Sequence, residues 1–354
     1  MPASTPGSPR CCPEADQQQE FTLPNDTGQS RQEIPMKLWD ETIDGYRVEA
    51  QAMLENLFDA LPSAGGEEGD LPEDPVARAR IQRQHAIALE PEPSAMAIEA
   101  TIPGPAGNIP IRLFEPEKPR AMFLQIHGGG WILGRPQMAD VASENLAKNH
   151  GLAVLSVGYR LAPEHPYPAG PDDCEAAAAW MLEHGPERWG TDKMLIGGGS
   201  AGAHLAAVTL LRVRDRLSAI DRVLGANLLF GCYDLRGTPS TFGNGGNPDV
   251  LDPPGFQFMI ESFTPGMSET ERRDPDVSPL FADLSGLPPC LVTVGTYDHL
   301  LDDSLFFAVR LAAAESPVEL AVYPDSPHGF MFLPTEMTKA HAARLNAWIA
   351  SLLA

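Results

Sequence analysis

The pattern of apolar and polar positions changes character twice along the chain. Residues 1–35 carry turn formers and the run Gln17–Gln19 with no apolar period, which reads as a polar, flexible tail. From about Met36 to Leu61 the apolar positions Leu38, Trp39, Ile43, Tyr46, Val48, Ala52, Met53, Leu57 and Leu61 recur at helical spacing. Pro62–Pro75 is rich in glycine and acids and predicts a solvated loop, and Val76–Ala86 predicts a second short helix. From about Met96 the period shortens. Ala97–Ile102 and Ile109–Phe114 are strand-like runs around glycine turns. Ala121–Ile126, Leu152–Tyr159, Met194–Gly197, Leu224–Phe230, Cys290–Val294 and Val318–Tyr323 are short apolar runs. Helical stretches separate them: Met138–Asn149, Pro171–His184, Ala201–Arg216, Asp303–Ala314 and Thr335–Leu353. Short apolar strands alternating with helices predict an α/β fold, with a mostly parallel central sheet covered on both faces.

Composition narrows the function. The 354 residues hold 25 Lys plus Arg against 48 Asp plus Glu, a formal charge of −23. Such a charge repels phosphate backbones and anionic headgroups, so neither a nucleic acid nor a membrane is expected as a partner. No apolar stretch reaches the roughly 18 residues a membrane helix needs. Residues 1–35 hold no apolar run of seven or more, so no secretory leader is expected. The cysteines Cys11, Cys12, Cys174, Cys232 and Cys290 are odd in number and scattered, with neither a disulfide framework nor a zinc spacing. A reducing cytoplasm is the expected setting. The acid excess reads as a solvated surface suited to saline conditions.

Candidate chemistry lies where predicted strands end. Gly198-Gly199-Ser200-Ala201-Gly202 fits G-x-S-x-G between a strand and a helix. That context holds a serine on a strained turn with its hydroxyl above the sheet. His127-Gly128-Gly129-Gly130-Trp131 follows another strand, and its glycines free the backbone to aim N–H groups at one point. The N–H groups of Gly129, Gly130 and Ala201 are the expected oxyanion donors. His127, ahead of the glycines, is expected to orient that loop. Asp298 and His328 each follow a strand, and the order Ser200, Asp298, His328 matches nucleophile, acid and base in α/β-hydrolases. Asp302 and Asp303 compete with Asp298; its distance from the strand end favours Asp298. Asp302 is then expected to cap the following helix or to brace the His328 loop.

These blocks, together with Tyr159-Arg160-Leu161-Ala162-Pro163-Glu164 and the His328-Gly329-Phe330 turn, resemble the hormone-sensitive-lipase group of α/β-hydrolases, bacterial esterase family IV. The resemblance covers roughly residues 95–354. It implies hydrolysis of small carboxylic esters without metal or cofactor, and a structural role for Tyr159, Arg160 and Glu164. It also implies a helical cap, here 36–90 and 233–270, beside a catalytic domain over 91–354. Leu38, Trp39, Phe58, Phe256, Phe258, Met259 and Phe263 become candidates for the pocket lining, and a homodimer is plausible for the group. One position departs from the pattern: the group has Asp, Glu or Thr before the nucleophile, and this chain has Gly199. The favoured activity is a carboxylesterase on short- to medium-chain acyl esters. An amidase or N-deacylase shares the machinery. A non-catalytic binder on this fold is disfavoured by the presence of His328.

Overall fold

The computed structural model describes residues 37–60, 72–88, 92–242 and 253–354. The tail expected at 1–35, with Cys11 and Cys12, lies outside them, as do residues 62–71 of the loop expected over Pro62–Pro75; Pro75 itself begins a helix. Two helices lead the described chain. A 3-10 turn over Glu41–Tyr46 begins where Asp40 accepts the Thr42 N–H at 2.9 Å, and it runs into α1 (Arg47–Ala60). The apolar period thus begins earlier than the α-helix does; Gly45, a poor helix former, sits at that junction. Helix α2 (Pro75–Ala88) has proline at its first position, where no N–H is missed. Asp74 caps it by accepting the Ala77 N–H at 2.8 Å.

The sheet follows. Its strands are β1 (Ile98–Gly104), β2 (Gly107–Phe114), β3 (Ala121–Ile126), β4 (Leu152–Val157), β5 (Met194–Gly199), β6 (Val223–Leu229), β7 (Cys290–Tyr297) and β8 (Val318–Pro327). The described strands lie in the order β1-β2-β4-β3-β5-β6-β7-β8. β1 and β2 form an antiparallel hairpin, and β2 joins β4 antiparallel. From β4 to β8 every pairing is parallel. The parallel strands are apolar on both faces because helices cover both; all of β4 is buried. Between the strands run α3 (Asp140–His150), α4 (Ala169–Trp189), α5 (Ala201–Asp215), α8 (Leu301–Ala313) and α9 (Glu336–Leu352). Helix α5 is buried from Ala201 through Val213, so it serves as core rather than surface. Between β6 and β7 stand α6 (Pro239–Phe242) and α7 (Pro253–Phe263). Leu38–Ala354 form one compact unit.

This order places the site. From β3 the chain crosses to β4 on one side and later returns to β5 on the other. The crevice at the carboxyl ends of β3 and β5 is therefore a topological switch point, where such sheets bind ligands. The glycine loop leaves β3 there and the serine turn leaves β5.

Candidate active site

Ser200 occupies the turn between β5 and α5 with φ 58° and ψ −124°, a backbone strained for a residue with a side chain. Its N–H donates to the Leu229 carbonyl at 2.9 Å, and its carbonyl accepts from Ala203 N and His204 N. Positions 198 and 202, two residues to either side, have room only for glycine. A Cβ on Gly198 would sit 2.4 Å from the Ile126 carbonyl oxygen, and one on Gly202 would sit 2.3 Å from the same atom. The strand end of β3 thus lies against the serine turn.

The loop after β3 runs with positive φ through three residues: Gly129 at 113°, Gly130 at 56° and Trp131 at 62°. Only the third carries a side chain. The Gly129 carbonyl accepts from Ile132 N at 3.1 Å and Leu133 N at 2.7 Å, which closes the turn. Among the described residues the N–H groups of Gly129, Gly130 and Ala201 have no partner, so all three remain available to a ligand. Gly128 lies against the elbow, since a Cβ there would be 2.8 Å from the Gly199 carbonyl oxygen. His127 is buried behind the loop. Its ring stacks on Tyr159 at 4.2 Å, and the Tyr159 hydroxyl donates to the His127 carbonyl at 3.0 Å. Burial pushes the His127 imidazole down to about 4, despite the bond its Nδ1 makes to the Gly128 carbonyl.

Asp298 and His328 come together from the ends of β7 and β8. His328 Nδ1 lies 2.9 Å from Asp298 Oδ2 and 3.1 Å from Oδ1. The Asp298 carboxylate is fully covered, and Oδ1 also accepts the Leu300 N–H at 2.8 Å. The Ser200 hydroxyl has no hydrogen-bond partner among the described residues, and it shares one cavity wall with His328.

Asp302 and Asp303 do other work. Neither reaches His328, and neither caps α8: its N-cap residue is Leu300, and the Asp302 N–H is itself satisfied by the Ser240 hydroxyl at 3.1 Å. Instead Asp302 accepts the Ser240 N–H at 2.8 Å. Asp303, fully buried, accepts Tyr233 N at 2.6 Å, Asp234 N at 2.9 Å and the Thr238 hydroxyl at 2.7 Å. Both expectations for Asp302 fail for one reason. The chain after β6 passes over the start of α8 and presents unpaired N–H groups there, and the two carboxylates satisfy them.

The cavity in front of Ser200 holds about 330 Å³. Besides the serine turn, the glycine loop and His328, its wall includes Met138, Phe230, Cys232, Phe256, Met259 and Met331. Among the described residues no Asp, Glu, Lys or Arg lines it. Of the residues proposed from sequence, Phe256 and Met259 reach it. Phe263 instead stacks on Trp131 at 5.0 Å, and Phe258 lies under the Arg78 guanidinium at 4.3 Å. Trp39 packs against the small cluster of Phe230, Val294 and Val322, Leu38 is exposed, and the Phe58 side chain lies outside the described residues. Phe230 and Met331 were missed. Their signal was position alone: Phe230 directly follows β6 and Met331 closely follows His328, both at carboxyl ends of strands. Among the described residues no group of three or more His, Cys, Asp or Glu is placed to hold a metal ion. No helix among them is long and apolar enough to cross a membrane.

Comparison with known proteins gives a consistent relationship. The model of a family described by its alpha/beta hydrolase fold matches residues 123–332. The carboxylic ester hydrolase LipN of Mycobacterium tuberculosis is 33% identical over 82% of this chain and 79% of its own. Among solved structures, an esterase of Pyrobaculum calidifontis superposes with a TM-score of 0.70 at 29% identity, over 80% of this chain and 96% of its own. A hormone-sensitive lipase from a metagenome library superposes with a TM-score of 0.70 at 28% identity, over 87% and 98%.

Proposed function

The chain belongs to the alpha/beta-hydrolase-fold family, in its hormone-sensitive-lipase-like group of carboxylesterases, and on that premise we propose that Ser200, His328 and Asp298 form the triad that hydrolyses short- to medium-chain carboxylic esters. The observation that carries this reading is the His328 Nδ1–Asp298 pair at 2.9 Å, opening on the cavity that also exposes Ser200. Asp298 holds His328 in the tautomer that leaves Nε2 free to accept a proton. Ser200 Oγ attacks the ester carbonyl and passes its proton to His328. The carbonyl oxygen becomes an oxyanion between the N–H groups of Gly129, Gly130 and Ala201, where each donor contributes about 3–4 kcal/mol to the transition state. Collapse expels the alcohol, which takes the proton from His328, and leaves an acyl-serine. Water, deprotonated by the same histidine, then releases the acid.

The wall of the cavity selects the substrate class. The apolar side chains among its described lining residues favour neutral esters with apolar groups on either side of the carbonyl. Residues 36–90 and 233–270 act as the cap, with Phe256 and Met259 of α7 reaching in from the second segment. The test is hydrolysis of p-nitrophenyl acetate, butyrate and hexanoate by the wild type and by Ser200→Ala. Turnover by the wild type alone supports the reading; equal rates from the two proteins overturn it.

A further inference from the structure

The strained part of the glycine loop is Trp131, whose φ of 62° has no glycine to relieve it. Such a residue persists only where its surroundings over-determine it. On the side-chain face the indole N–H donates to His204 Nδ1 at 3.0 Å, and the ring stacks on Phe263. His204 in turn donates from Nε2 to the Val277 carbonyl at 2.8 Å. On the backbone face the Trp131 carbonyl accepts the Ala162 N–H at 3.0 Å. The carbonyls on either side of that bond, Ile132 O and Ala162 O, point to a single group. Arg83 of α2 donates from Nε to Ile132 O at 2.6 Å and from Nη2 to Ala162 O at 2.6 Å. Glu164 pairs with the outer side of the guanidinium, Oε1 2.8 Å from Nη1 and Oε2 2.8 Å from Nη2.

We propose that Arg83 is a positioning residue for the oxyanion loop: a fork from the N-terminal helix that fixes the backbone carrying the Gly129 and Gly130 donors. The proposal rests on the triad and oxyanion reading above. Its physical basis is the planar guanidinium, which spans two carbonyls and a carboxylate at once; an ammonium offers donors from one point and cannot bridge both carbonyls. Ile132 is fully buried and its carbonyl accepts from Arg83, so removing the fork leaves that carbonyl without its side-chain donor. The turn from Gly129 to Ile132 then loses an outer support, and the donors lose their aim at the oxyanion. Ground-state binding in the apolar cavity is left intact, because Arg83 does not line it.

The test compares three variants with the wild type and Ser200→Ala on p-nitrophenyl butyrate, following kcat, KM and the melting midpoint. Arg83→Lys keeps the charge facing Glu164. Its kcat is expected to fall roughly tenfold to a hundredfold with KM within about threefold, as for a small displacement of catalytic groups. Glu164→Gln keeps both carbonyl contacts and is expected to hold kcat within about twofold, as for removal of a partly exposed ion pair. Arg83→Ala is expected to lose kcat as Arg83→Lys does, and low millimolar guanidinium ion is expected to recover part of it. If Arg83→Ala does not fold, Arg83→Lys decides alone. The proposal is overturned if Arg83→Lys keeps kcat within twofold, if its loss lies only in KM, or if Glu164→Gln loses as much. Full activity in Ser200→Ala overturns the underlying reading; an inactive Ser200→Ala beside a fully active Arg83→Lys overturns this proposal alone.

Discussion

The ring of Phe230 lies 4.5 Å from the imidazole of His328, tilted by 55°, and its Cε2 is the first atom a side chain at Gly199 would meet, at 3.2 Å. Phe230 thus fills the space that Asp, Glu or Thr at position 199 would need. It holds that place under strain, with φ of 36°, while its N–H donates to the Thr293 carbonyl at 2.6 Å. A methyl group at 199 pushes the ring toward His328. Gly199→Ala is expected to lower kcat/KM by roughly two- to fivefold, and Gly199→Thr by roughly tenfold or more, as overpacking shifts the ring of the proposed base His328. Steady-state kinetics decide it. Wild-type kcat/KM in Gly199→Thr would mean that the ring yields without disturbing the histidine.

Acid lability follows from the buried histidines. Burial holds His127, His204 and His341 down at about 4, against an ordinary value of 6.5. The unfolded chain therefore binds more protons than the native one between about 4 and 6.5. Each group withdraws stability as pH falls through that window, by on the order of a few kcal/mol. Asp303 runs the other way. Burial raises it to about 7 from 3.8, against the bonds it accepts from Thr238, Asp234 and Tyr233. Its native form holds a proton the unfolded chain gives up, so it adds stability as pH falls through 7 toward 3.8. Three groups outweigh one, and the melting midpoint is expected to fall between pH 6.5 and pH 4. Calorimetry over that range checks it, and a midpoint that rises on acidification contradicts the assignment.

Met259 of α7 stands in the cavity wall. A Cβ on Gly130 would lie 2.1 Å from its sulfur, so the thioether of α7 presses directly on the glycine loop. Met259→Ala opens that end. Longer chains are expected to gain roughly fourfold in kcat/KM for each methylene newly buried, from about 0.8 kcal/mol per methylene. Paired acyl and alcohol series from two to ten carbons measure it. A variant whose optimum stays put in both series rules Met259 out as the limiting side chain.

The charge of −23 predicts a response to salt. Self-repulsion destabilises a compact acidic chain. Raising ionic strength from about 0.01 M to about 0.15 M shortens the screening length from roughly 30 Å to roughly 8 Å. The melting midpoint is expected to climb by a few degrees over this range. A midpoint that drops with salt would assign the stability to ion pairs such as Arg212 with Asp276, rather than to screening of the surface.

Much of this molecule is written in local residue patterns. The apolar runs of β3 through β8 declare strands buried on both faces, and glycines at 129, 198 and 202 mark where backbones must touch. The serine, aspartate and histidine each stand just beyond a strand, where a parallel sheet exposes its chemistry. Other parts leave no such mark. Arg83 is one of three arginines in α2, and its partners at Ile132 and Ala162 are carbonyls that every residue possesses. Phe230 reads as the last residue of an apolar run; its contact with His328 arises only when β6, β7 and β8 lie side by side. Asp302 and Asp303 looked available to the histidine because they are near Asp298 in sequence, but helix geometry turns them toward residues 233–240.

Among the described residues of α7, Phe256 and Met259 line the cavity, while Phe263 stacks on Trp131. The span between β6 and β7 also carries the Val277 carbonyl that holds His204, so exchanging it for that of a relative alters the cavity wall and the seat of the glycine loop together.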